Sequence, residues 1–154
     1  MTTYSLPNAA QLYAQTQRNP AAELFNSARM AGQRRAFWAG LTRRSTALRT
    51  LDQAHTTAQA GRYGGRQQVR LDDVRGTEGR AGDFDDQFHP LSNKTRQRWQ
   101  SVASALEAGL GLPPVHLIQV GKDYYVRDGH HRVSVARALG LETIEAEVTI
   151  WAGN

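Results

Sequence analysis

The segment from Val115 to Trp151 leaves this chain few ways to fold. Val115–Val120 and Tyr124–Arg127 alternate on either side of Gly121-Lys122-Asp123, the pattern of a hairpin. Asp128-Gly129 breaks the second strand, and Val133 to Leu139 then carries a short amphipathic helix closed by Gly140. In Thr143–Ile150, Ile144, Ala146, Val148 and Ile150 alternate with Glu145, Glu147 and Thr149, which predicts a strand with its apolar face inward. Strands and a helix in this order predict an α+β domain with a small mixed β-sheet and packed helices.

The turn in the middle of this segment, Asp128-Gly129-His130-His131-Arg132, carries the most chemistry. A strand that passes through glycine into a helix N-terminus presents backbone N–H groups and the positive end of a helix dipole. Two imidazoles, a guanidinium and a carboxylate beside them suit phosphate or a similar anion. Gly129 predicts a positive φ, which lets backbone approach a ligand. Arg132 falls in the first helical turn, where a cation opposes the dipole unless an anion is near, and its side chain is expected to face the cleft. Asp128 is read either as a helix cap, the favoured reading, or as a contact to Mg²⁺ or ribose. His130 is read either as a phosphate contact or as a capping or core histidine.

These residues resemble the ParB/sulfiredoxin superfamily over roughly residues 66 to 151. ParB proteins carry Gly-Glu-Arg-Arg at such a turn, sulfiredoxins Gly-Gly-Cys-His-Arg, and the free serine kinases of the superfamily Asp-Gly-His-His-Arg, the version present here. Gly129 and Arg132 match all three branches, and His131 matches the sulfiredoxin and kinase histidine. His130 stands where sulfiredoxins have cysteine, and the chain has none, so repair of sulfinic acids by their route is excluded. The resemblance implies a nucleotide-phosphate site made by Asp128, Gly129, His130, His131 and Arg132, taking a nucleotide di- or triphosphate with Mg²⁺. In the kinase branch a glutamate after the first strand acts as the base. Glu78 is its positional counterpart, and Glu78 and His131 are the catalytic candidates.

Between the first core strand, Gln68–Leu71, and a helix capped by Ser92 lies a segment read as a long loop, residues 75–91. Loops of this length usually have a use. Its acids, Glu78, Asp83, Asp85 and Asp86, and its His89 are candidates for chemistry, with Asp83, Asp85 and Asp128 as the metal-ligand set. The alternative is a structural loop with Phe84 and Phe88 as buried plugs, and that reading is favoured for Asp86. No HExxH, Walker-type or cysteine–histidine zinc pattern is present.

Charge separates the chain into two parts. The net charge is +5, but residues 1–62 hold eight arginines against Glu23 and Asp52. The predicted organisation is therefore a basic helical arm, residues 1–62, before a nucleotide-binding domain, residues 63–154. A short helix is expected at 8–17 and a longer one from 21 to about 58, with Gly61, Gly64 and Gly65 as a hinge. Leu24, Phe25, Ala28, Ala31, Phe37, Trp38, Leu41, Leu48 and Leu51 form a broken stripe, read as buried anchors that pack on the core or on a second copy, a possible homodimer. Gly32 and Gly40 are expected to split or bend it. Arg29, Arg34, Arg35, Arg43 and Arg44 are the candidate nucleic-acid contacts, against a solvated face as the plain alternative.

No apolar run approaches a membrane span, and no secretory signal opens the chain, so a cytoplasmic protein without a membrane partner is expected. Three functions remain open. The first is nucleotide binding with hydrolysis or phosphoryl transfer, the second a DNA-associated ParB-like protein or nuclease that grips the backbone with its arm, and the third a non-enzymatic sensor or scaffold. The chain ends after its last strand, where ParB proteins continue into a helix-turn-helix, so sequence-specific partitioning is not expected.

Overall fold

The predicted hairpin forms the middle of a sheet. The computed structural model describes residues 19–51, 61–79 and 81–151. In chain order the elements are α1 (Pro20–Leu41), β1 (Arg49–Thr50), β2 (Arg62–Arg70), β3 (Val74–Thr77), α2 (Arg96–Glu107), β4 (Val115–Val120), β5 (Asp123–Asp128), α3 (His130–Ala138) and β6 (Thr143–Trp151). Short 3₁₀ turns lie at Leu71–Asp73 and Asn93–Thr95. The six strands order as β1-β3-β5-β4-β6-β2. β1, β3 and β5 run parallel, β4 is antiparallel to β5 and parallel to β6, and β2 closes the far edge antiparallel to β6. The domain is α+β with a mixed sheet, as the patterning predicts.

Val69, Val74, Val115, Leu117, Val126, Ala146 and Val148 of the strands share one buried cluster with Trp99 and Ala103 of α2 and Val133, Val135 and Ala136 of α3. Ala21, Phe25 and Ala28 of α1 and Leu48 enter the same cluster. Trp99 joins the layers. It meets Phe25 edge-to-face at 5.4 Å between centroids. Its indole N–H donates to Ser134 Oγ at 2.8 Å, and that hydroxyl donates to the Phe88 carbonyl at 2.6 Å. Phe84 and Phe88 are fully buried, as plugs.

Several expectations change. The helix read to about residue 58 stops at Leu41, where Thr42 donates back to the Trp38 and Gly40 carbonyls and Arg43 takes φ +52°. Ala47 then bridges to Asp85, and Arg49–Thr50 pairs with β3, because the sheet edge offers these residues a ladder that outweighs helical propensity. Residues 8–17, and 52–58 of the longer helix, lie outside the described residues. Gly64 and Gly65 are not a hinge but sit inside β2 at a register shift opposite β6. The segment 75–91 is not loop from its start, since Arg75-Gly76-Thr77 belong to β3. Finally, Phe37, Trp38 and Leu41 are exposed, not buried. α1 runs unbroken through Gly32, whose missing side chain matters for packing, as a Cβ there would come within 2.8 Å of His89 Cβ.

Candidate functional site

β3 and β5 run side by side, Thr77 opposite Val126, so their carboxyl ends reach the same edge of the sheet. At that edge β5 ends on Asp128, Gly129 turns at φ +99° and ψ 23°, and α3 begins at His130. Carboxyl ends of parallel strands meeting a helix N-terminus are where α/β sheets hold anions. Gly129 is required on two counts: its φ is positive, and a Cβ would lie 2.6 Å from Val115 Cγ1.

The two histidines point into the fold, His130 at 5% and His131 at 7% exposure. His130 Nε2 lies 2.7 Å from Thr77 Oγ1, which also accepts from the Gly79 N–H at 3.1 Å and contacts the Val126 carbonyl at 3.3 Å. With the hydroxyl hydrogen on that carbonyl, Nε2 is the donor. Phe84 stacks on His130 and meets His131 edge-on at 5.5 Å. Thr77 is a residue sequence reasoning missed, since nothing in Val-Arg-Gly-Thr marks a hydroxyl that meets a helix 53 positions later.

Asp128 does not cap α3, which has no side-chain cap. It instead accepts from Arg132 Nη2 at 2.8 Å. Arg132 Nη1 donates to the Pro113 carbonyl and, at 2.8 Å, to the Pro114 carbonyl. The unfavourable place of this cation in the first turn is thus offset within the chain. The side chain is 16% exposed and fastens the approach to β4 rather than standing free in a cleft.

A concavity of about 60 Å³ opens at the start of α3, lined by Arg98, Val102, Asp128, Gly129 and residues 130–132. Arg98 is exposed and faces the turn from α2. It too was missed: helical periodicity places Trp99 inward but does not say which neighbour the adjacent edge of α2 will face.

Glu78 follows β3, not the first core strand β2, and pairs with Arg127 through two hydrogen bonds of 2.8 and 3.1 Å. The bond to Glu78 raises the Arg127 pKa and burial opposes it. Asp85 is buried in its loop, accepting from the backbone N–H groups of Gln87 and His89 and lying 2.9 Å from His89 Nδ1. Asp86 is held by Arg35 at 2.7 Å. Asp83, Asp85 and Asp128, the carboxylates expected at a metal, are not gathered. Among the described residues no three His, Asp or Glu side chains converge as a metal site. Of the arm's arginines, Arg29 bonds Asn93 and Arg35 bonds Asp86, whereas Arg34, Arg43 and Arg44 are exposed.

Burial pushes the Asp85 carboxyl up, but the His89 ring and the two backbone donors outweigh it and hold the pKa below the usual value. A depressed folded pKa stabilises the fold above the unfolded value of about 4, and the benefit is lost as pH falls through the folded value. Melting curves between pH 5 and 2 are expected to fall more steeply for the wild type than for Asp85→Asn.

No family model matches the chain, and no curated protein matches it. Among solved structures it is similar to sulfiredoxin from Arabidopsis thaliana, at 20% identity and a TM-score of 0.44, covering 56% of this chain and 86% of that one. It is also similar to a conserved hypothetical protein from Pyrococcus furiosus, at 17% identity and a TM-score of 0.41, covering 56% of this chain and 33% of that one. These likenesses concern the fold alone.

Proposed function

We propose that the edge where β3, β5 and α3 meet binds a phosphate group, as part of a nucleotide di- or triphosphate. The observation that carries this reading is the concavity at the α3 N-terminus, with the positive end of the helix on one side and the exposed Arg98 on the other. The concavity is small, about 60 Å³, and opens to solvent. Sugar and base then lie outside it, and affinity comes mainly from phosphate. Asp128, with its side chain 65% exposed, is the carboxylate at this edge open to a Mg²⁺ ion. For turnover, Glu78 must leave Arg127 before it can accept a proton.

The test is calorimetric titration with inorganic phosphate, pyrophosphate and nucleoside triphosphates, with and without Mg²⁺. Arg98→Ala is expected to weaken binding roughly tenfold to a hundredfold, the scale of a charge-assisted hydrogen bond, with little change in Tm. Equal affinity in both proteins, or no binding of any of these anions, overturns the reading. If nucleotide is also consumed, Glu78→Gln is expected to lower turnover about a hundredfold or more at unchanged affinity.

A further inference from the structure

α1 has two apolar faces. Ala21, Phe25, Ala28 and Gly32 are its buried residues, and each is followed nine positions later by Met30, Arg34, Phe37 and Leu41. Nine residues make two and a half turns, so the second set lies diametrically opposite the first. The apolar members of that outer set, with Trp38 beside them, are among the most exposed large apolar side chains of the described residues: Met30 58%, Phe37 66%, Trp38 66% and Leu41 64%. An exposed apolar face of this kind marks an interaction surface. The outer face of the first turns is polar, with Glu23, Asn26 and Ser27, so the patch is confined to the second half of the helix.

The charge around the patch selects the partner. No acidic residue occurs between Glu23 and Asp52, while Arg34 lies within the patch and Arg43 and Arg44 follow the helix end. Asp86 neutralises Arg35, but Arg34, Arg43 and Arg44 make no ion pair among the described residues. Packing against a second copy would bury Arg34 in an apolar contact facing another basic patch, which is costly. The Phe37 and Trp38 rings meet edge-to-face at 77°, so together they form no continuous platform for successive stacked bases. A lipid interface accepts all of these features. Aromatic and aliphatic side chains enter the boundary between headgroups and acyl chains, and arginines reach the phosphates.

We propose that the outer face of α1, through Met30, Phe37, Trp38 and Leu41 with Arg34, Arg43 and Arg44, docks on an anionic phospholipid surface. No helix among the described residues is long and apolar enough to cross a membrane. It lies on the opposite side of α1 from the core and does not depend on the phosphate reading of the Gly129 turn.

The experiment is co-sedimentation of the full chain with vesicles of phosphatidylcholine alone and of phosphatidylcholine with phosphatidylglycerol, with tryptophan fluorescence followed in parallel. Binding to the anionic vesicles is expected, weakened by salt and accompanied by a blue shift that Trp38→Ser removes. Trp38→Ser is expected to lower partitioning about tenfold and Arg34→Gln about fivefold. Both positions are exposed, so both variants should melt like the wild type. Failure to bind anionic vesicles, or equal binding to neutral ones, overturns the proposal. So does a wild-type dimer in sedimentation equilibrium that Trp38→Ser dissolves, or oligonucleotide binding without vesicle binding.

Discussion

Replacing Trp99 by alanine is expected to destabilise the protein by about 3–5 kcal/mol, the cost of removing a large aromatic side chain from a packed core. For a chain of this length that corresponds to a fall in Tm of roughly 10 °C. Trp99 has no exposed surface and contacts Phe25 of α1 edge-on. Its N–H also satisfies Ser134, so the substitution removes packing and a buried donor together. Trp99→Phe separates the two: it keeps much of the ring and loses the N–H, and a smaller loss of about 1–3 kcal/mol is expected. Denaturant unfolding of the three proteins is the measurement. A cost below about 1 kcal/mol for Trp99→Ala would mean that α1 is not docked on α2 as described.

Gly129→Ala is expected to cost about 2–6 kcal/mol and to abolish the proposed anion binding at the turn. A side chain at φ +99° is strained by about 1–3 kcal/mol. The new Cβ would also sit 2.6 Å from Val115 Cγ1 and 3.1 Å from Arg132 Nη2, adding overpacking of about 1–3 kcal/mol. Relief requires the turn to move, which would shift the first N–H groups of α3 away from the concavity. Chemical denaturation and phosphate titration of the same variant read both effects. Wild-type stability together with wild-type phosphate affinity would show that the turn is neither strained nor part of the site.

The legible parts of this chain are those where local chemistry and fold agree. Alternation in Thr143–Ile150 places Ala146 and Val148 inside β6, and both are buried. Gly121 closes the β4–β5 hairpin, Ser92 caps the turn before α2, and Gly129 takes its positive φ. α1 was the least legible element. In the sequence its outer apolar residues run into one stripe with the inner ones, because composition does not say which of two opposite faces a sheet will cover. Residues 43–51 have no strong pattern of their own, and their extended path depends on β3 and on Asp85 being there to pair with.

The candidate site divides in the same way. The strand, glycine and helix of the turn, and the histidines and charges on it, follow from the order of residues alone, since a glycine between a strand and an amphipathic helix admits few geometries. What each group touches does not. That His130 meets Thr77, that Glu78 pairs with Arg127, and that Arg132 is held by the Pro113 and Pro114 carbonyls all follow from placing β3 beside β5 and folding α3 back over the sheet. Arg98 reaches the turn only because α2 packs on α3 through Trp99 and Ser134. These contacts join residues distant in the chain, and the strand order that brings them together is set by burial of the whole core rather than by any one segment.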